Sequence, residues 1–213
     1  MGTPLAGIVS DVYMAANPSI ATTNETATNT DSGLWITYKA SIHWAWDKRV
    51  PVVVQTSPNG TTGWTTVTDY TFEYAGGVII FNTARISGTN NFVQIASGSY
   101  FNLTELDGSH TWSISLKSGV TDTTTFQAPG AYMLNTPTIK SGTVKIDTFR
   151  TDGRIAVELG ALVAMQLFID YALNYRWDML AWIDGLDPKS DVKGVLEQAM
   201  SATIAGDCYL RLV

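Results

Sequence analysis

Charge is scarce in this 213-residue chain. Asp, Glu, Lys and Arg make up 15% of it, where an ordinary soluble domain carries about 25%. Thirteen Lys and Arg face 19 Asp and Glu, a formal net charge of −6, which excludes a protein built to grip nucleic acid through clustered phosphate contacts. A single cysteine, Cys208, rules out an internal disulfide and a thiolate metal cluster. The two histidines, His43 and His110, stand in none of the spacings that hold zinc. No Gly-x-Ser-x-Gly elbow, phosphate-binding glycine loop or Gly-x-Gly-x-x-Gly fingerprint occurs. The longest apolar stretch, near Leu159–Ile169, is broken by Gln166 and falls short of the ~18 residues a membrane span needs. The start of the chain has neither a basic nor a long apolar region, and Ala6 stands where a myristoylation pattern has Ser or Thr. The expectation is a protein made in the cytoplasm, with no membrane, metal or cofactor.

What is abundant is Thr, Ser, Gly, Asn and aromatic residues, with seven Trp and nine Tyr. A hydrophobic share of 45% is too high for a disordered chain, and a surface this poor in charge points to self-association. The chain divides into an arm over 1–33 containing a flexible Thr/Asn tract, a β-hairpin region over 34–100 and a core domain with a short helix over 101–213, the last two also readable as one continuous domain over 34–213. Strands are predicted at Val50–Gln55, Trp64–Val67, Asp69–Tyr74, Val78–Phe81 and Phe92–Ala96, with turns at Ser57-Pro58-Asn59-Gly60 and Gly76-Gly77. Tyr70, Phe72 and Tyr74 share one face of their strand. Trp112, Ile114 and Leu116 alternate with polar residues, as do Val144 and Ile146, and a loop runs between these strands over Val120–Leu134. Further on, Asp152 caps a short helix over Arg154–Leu159, and Leu162–Asp170 reads as a strand, though a helix also fits. In the next run Tyr175, Trp177, Met179, Ala181 and Ile183 oppose Arg176, Asp178, Leu180, Trp182 and Asp184, so both faces are populated. Asp187–Ser190 reads as a turn, Val192–Ser201 as helix or strand, and Cys208–Leu212 as a closing strand.

Candidates for chemistry are few. His43 lies in Ile42-His43-Trp44-Ala45-Trp46 and reads as a strand histidine against aromatics. Asp31-Ser32-Gly33 matches the aspartic protease triplet but lacks the apolar strand before it. Asp170, Asp178 and Asp184 are the one set of carboxylates placed for glycoside hydrolysis, yet the sequence gives no sign that they converge. The expectation is a non-enzyme.

The order of motifs resembles that of major tail proteins of long-tailed bacteriophages. The resemblance rests on Val52-Val53-Val54-Gln55, Gly63-Trp64-Thr65-Thr66-Val67, Gly77-Val78-Ile79-Ile80-Phe81, Val93–Phe101, Trp112–Leu116, Asp122–Phe126, Leu167–Asp170, Tyr175-Arg176-Trp177 and Ala205–Tyr209. It runs from about residue 34 onward and departs from the family where Asp207 and Cys208 replace a final Gly-x-Gly. It implies a mainly β fold, a sandwich or barrel of the tail tube type with one flanking short α-helix and extended arm and loops. It also implies a virion tail subunit that forms hexameric rings stacked into a conduit for genome ejection. Its partners would be copies of itself and tape-measure, tail terminator and baseplate proteins, and double-stranded DNA would pass through the lumen without specific binding. On that reading Asp170, Asp178 and Asp184 are candidate lumen-facing acids. Trp35, Trp44, Trp46, Trp64, Thr124, Phe126 and Tyr132 are candidate inter-subunit contacts. The alternatives are a carbohydrate-binding β-sandwich of a baseplate or adhesin, with Trp44, Trp46, Trp64 and Trp182 as stacking platforms, and a capsid decoration protein.

Overall fold

A computed structural model describes residues 11–15, 19–106, 108–122, 135–150, 158–190 and 196–212. Among them are fourteen strands: β1 (Val12–Ala15), β2 (Ile20–Asn29), β3 (Thr37–Ala40), β4 (Val53–Ser57), β5 (Thr65–Val67), β6 (Tyr70–Glu73), β7 (Val78–Phe81), β8 (Phe92–Tyr100), β9 (Thr104–Glu105), β10 (Ser109–Asp122), β11 (Asn135–Arg150), β12 (Leu162–Asp170), β13 (Tyr175–Ser190) and β14 (Leu196–Arg211). They form two seven-stranded antiparallel sheets. The first has the order β10-β11-β14-β13-β12-β1-β9 and the second β5-β4-β8-β2-β3-β7-β6. In each sheet the two edge strands are consecutive in sequence, so each sheet curls back toward itself and fills its concave side with its own side chains.

The first sheet buries Val12 and Met14, Val163 and Met165, Met179 and Ala181, Met200 and Ala202, and Val144 and Ile146 on that inner side, with Trp112 and Ile114 closing it. In the second, Trp46, Tyr38, Ile79, Phe81, Val93 and Ile95 form the core, and Tyr70, Phe72 and Tyr74 pack onto it from one face of β6 as their alternation predicts. Trp46 is fully buried, and its ring lies where a Cβ on Gly98 would sit, 2.8 Å from Cζ3. The second turn glycine, Gly77, has φ +62 and brings its backbone close under His43 and Trp46. The sheets meet through small residues, Ala15 and Ala164 beside Leu162 and Leu180 on one side, and Ala45 and Ala75 beside Phe101 on the other.

The mainly β class follows the sequence reading, but several elements differ. No helix occurs among the described residues. The helix expected over Arg154–Leu159 lies largely outside them, and Leu196–Ser201 belongs to β14. The segment read as an arm supplies β1 to the first sheet and β2 to the second. The Thr/Asn tract is strand β2, held between β8 and β3, because its β-branched threonines suit a pleated surface and its neighbours bring the burial. Asp187–Ser190 continues β13 instead of turning, paired with β14 alone beyond the end of β12, so Pro188 lies where the strand has one free side. Pairing of β13 with β14 slips between Met179 and Ala181 and again between Ile183 and Gly185. The second slip turns Leu186 toward the core beside Ile183.

Gly98→Ala places a methyl against the Trp46 ring and 3.2 Å from Val52, in a core with no space to give. It is expected to destabilise the fold by about 1–3 kcal/mol, read from the midpoint of a urea melt. An unchanged midpoint would show that the ring is free to move.

Candidate functional site

The acids singled out from the sequence do not share one environment. Asp178, on β13, is 1% exposed, with Arg176 Nε donating to one oxygen at 2.8 Å and Arg211 Nε reaching the other at 3.4 Å. It is corrected from a lumen-facing charge to a buried, neutralised one, because the second sheet covers this half of the β13 face. Asp170 lies at the end of β12, where its carboxylate accepts the Leu173 N–H and closes the turn to β13. Asp184 is exposed and accepts from Ser201 Oγ at 2.5 Å and Thr203 Oγ1 at 2.6 Å, and these two hydrogen bonds hold its carboxyl below the ordinary value.

The tryptophans divide as well. Trp46 is 0% exposed and is corrected from a contact residue to a core residue. Trp35 and Trp64 are half-buried, and Trp44 is 38% exposed. Thr124, Phe126 and Tyr132 lie outside the described residues. The aromatic segment around His43 is not a regular strand, since only Trp46 bridges, to Tyr100. The cause is Glu25 of β2, buried at 4%, whose Oε1 accepts the N–H groups of Ile42 and His43 that a ladder would otherwise use. Its Oε2 meets His43 Nδ1 at 2.6 Å, and the imidazole stacks on Tyr100 at 3.4 Å between centroids.

Across the junction of the sheets runs a chain of charges that sequence reading missed. Glu73 of β6 accepts from Arg211 Nη2 at 2.6 Å, Arg211 reaches Asp178, and Asp178 pairs with Arg176. The Arg176 guanidinium also lies 4.9 Å from the Trp44 ring centre and 5.6 Å from that of Phe168. Lys39 sits over the same Trp44 ring, and burial, with the nearby Arg176 charge, holds its ammonium below the usual range. Lys48 adds a second tie by donating to the Ala205 carbonyl.

Beside this chain a cavity of about 250 Å³ opens between the sheets. Tyr13, Trp44, Phe101, Phe168 and Tyr171 supply aromatic walls, with His43 and Asn102 among the polar groups. Gln166 of β12 also lines it, 4% exposed, and its Nε2 has no hydrogen-bond partner among the described residues. Phe168 stands edge-on to Tyr13, and Tyr171 stacks nearly parallel to Tyr13, at centroid distances of 5.5 and 6.1 Å. Burial of Gln166 could have been guessed from the apolar run around it, which buries both faces of β12, but not its position at a cavity.

At the far end of the second sheet, Asp31 organises the loop before β3. Its carboxylate accepts the N–H groups of Trp35, Ile36 and Thr37 at 2.6–2.9 Å. Trp35 is thereby held at φ 58, a conformation rare for a bulky residue, and the loop presents Leu34 with 66% of its surface exposed. Desolvation works against the charge on Asp31. Hydrogen bonds from the Thr37 N–H, the Asn29 amide and the Ile36 and Trp35 N–H groups outweigh it and hold the carboxyl below its ordinary value.

No family model matches the chain, and no curated protein matches it. Among solved structures it is similar to a chain in the virion of a native gene transfer agent particle, with 13% identity and a TM-score of 0.42, over 51% of this chain and 88% of that one. It is also similar to a chain in the tail of an empty gene transfer agent particle with C6 symmetry, with 10% identity and a TM-score of 0.39, over 75% of this chain and 95% of that one. Likeness at these scores leaves function to the chemistry of the chain itself.

A double-mutant cycle on Glu73→Gln and Arg211→Met should give a coupling of about 0.5–3 kcal/mol in denaturation. Additive single effects would show that the pair does not join the sheets. Asp31 has a lowered folded pKa, so its contribution is full above the unfolded value near 3.9 and is lost as pH falls through the folded one. Urea melts from pH 6 down to pH 2 should therefore show a shallower acid loss for Asp31→Asn than for the wild type, and parallel curves would refute it.

Proposed function

We propose that this chain is a structural subunit of a phage-type tail tube, not an enzyme, and that it self-assembles into hexameric rings stacked around a DNA conduit. The observation that carries the reading is apolar exposure on separate faces of a charge-poor chain. Leu34, Ile86 and Phe92 are 66%, 61% and 45% exposed at the loop end of the second sheet, while Leu116, Trp182, Leu210 and Leu212 stand out on the first. Patches on different faces let one copy touch more than one neighbour, as head-to-tail assembly requires, and interface cores are depleted in charge. The motif order shared with major tail proteins supports the same reading. Tape-measure, tail terminator and baseplate proteins are its further partners, and the virion tail its location.

Asp184 is the acid assigned to the lumen. It is exposed, and its two hydroxyl donors favour the ionised form, so it would repel passing phosphates and keep DNA from adhering. Asp170 is a second such acid where its turn faces the same way.

Concentrated protein viewed by negative-stain microscopy, alongside sedimentation velocity, should show rings or tubes, and Leu34→Asp with Ile86→Asp should shift the distribution toward free subunits. Monomers at every concentration, with no growth on seeding, would overturn the reading.

A further inference from the structure

The cavity between the sheets is lined by two polar side chains, Gln166 and His43, whose hydrogen-bonding capacity the fold leaves partly unused. Gln166 presents a buried amide N–H without an acceptor among the described residues, a costly arrangement unless something binds there. On the same lining, His43 engages Glu25 through Nδ1, so that when Nδ1 carries the proton of the neutral ring, Nε2 is an acceptor with no partner among the described residues. A hydroxyl group donates and accepts at once and can answer both. A carbonyl answers only the amide. A cation answers only the imidazole, and it would meet Arg176 and Lys39, which already lie over the Trp44 ring. The walls are aromatic, and ring faces attract the polarised C–H groups of a sugar. A volume of about 250 Å³ takes one ring and not a chain of them.

We propose that this cavity binds a single pyranose residue, with Gln166 and His43 hydrogen-bonding its hydroxyls and Tyr171, Phe168 and Trp44 enclosing the ring. The site does not depend on tube assembly. Tyr171, 51% exposed, stands at the mouth, so a sugar can enter from solvent. A free sugar and the end of a glycan offer the same chemistry.

Saturation-transfer NMR on the full chain, with the methyl glycosides of glucose, galactose, mannose and N-acetylglucosamine, tests it. At least one should receive transfer. Gln166→Leu and Tyr171→Ala should each weaken binding about tenfold, equivalent to about 1.4 kcal/mol, while Phe149→Ala, an exposed aromatic outside the cavity, binds as the wild type does. Tyr171→Ala changes an exposed side chain, so it remains informative if Gln166→Leu folds poorly. An oligosaccharide ending in the same residue and binding equally identifies a glycan end, and one that fails identifies the free sugar. The proposal falls if no glycoside shows transfer, or if both cavity variants bind normally. It also falls if protection of Trp44 and Tyr171 from radical oxidation follows protein concentration instead of sugar, which would make a second copy the occupant.

Discussion

The Glu73–Arg211–Asp178–Arg176 chain sets the relation between the two sheets. The apolar contact at this junction is built largely from alanines, which allow close approach but fix little by shape. The Glu73–Arg211 ion pair crosses it with a directional hydrogen bond, and Asp178 anchors Arg211 from within the first sheet. Arg176 and Asp178 are each 1% exposed, so leaving either without its partner would strand a buried charge, at a cost of several kcal/mol. Arg176 also reaches the Trp44 and Phe168 rings, so the same charges that hold the sheets in register shape the cavity wall. A sliding of one sheet over the other would disturb both at once.

Much of the strand pattern was legible because alternation is a direct consequence of the pleat. Tyr70, Phe72 and Tyr74 read correctly as one face, which packs half-buried on the core, and Leu162–Asp170 as a strand. Composition misled where polar residues were themselves structural. The Thr/Asn tract looks like a loop until its neighbours are known, because what makes it a strand is the pairing with β3 and β8, one of them some seventy residues distant. Asp178 and Trp46 were misplaced for a related reason. Parity separates the faces of a strand without saying which face another sheet will cover. Asp178 alternates with Trp182 and Asp184 on one face, yet the second sheet covers only its first half. In the Ile42–Trp46 segment alternation fails, since a carboxylate from another strand takes the backbone donors.

Glu25 and Asp31 illustrate one device used twice. Each sits on or beside β2 and gathers backbone N–H groups from the start or the end of the segment around β3. A carboxylate satisfies several donors where no ladder strand is available, and so it lets the chain leave the sheet without orphaned polar groups. At Asp31 the result is a rigid apolar tip, and at Glu25 an imidazole fixed in orientation at the cavity. In a chain with so few charges, Glu25, Asp31, Glu73 and Asp178 are occupied in this internal work, while Asp184 is turned to solvent together with Glu105, Asp147, Glu158, Asp187 and Glu197.

The slip in pairing between Ile183 and Gly185 bears on how this chain can change over generations. Asp184 faces solvent and Leu186, two residues on, packs toward the core, which strict alternation forbids. Losing one residue there would restore alternation and leave Leu186 and everything after it on the faces they now occupy, while losing two would exchange those faces. Drift in the length of β13 is therefore filtered by odd and even. Relatives of this chain that differ in length here should lack the one extra residue, or should carry a compensating change in β14 opposite it.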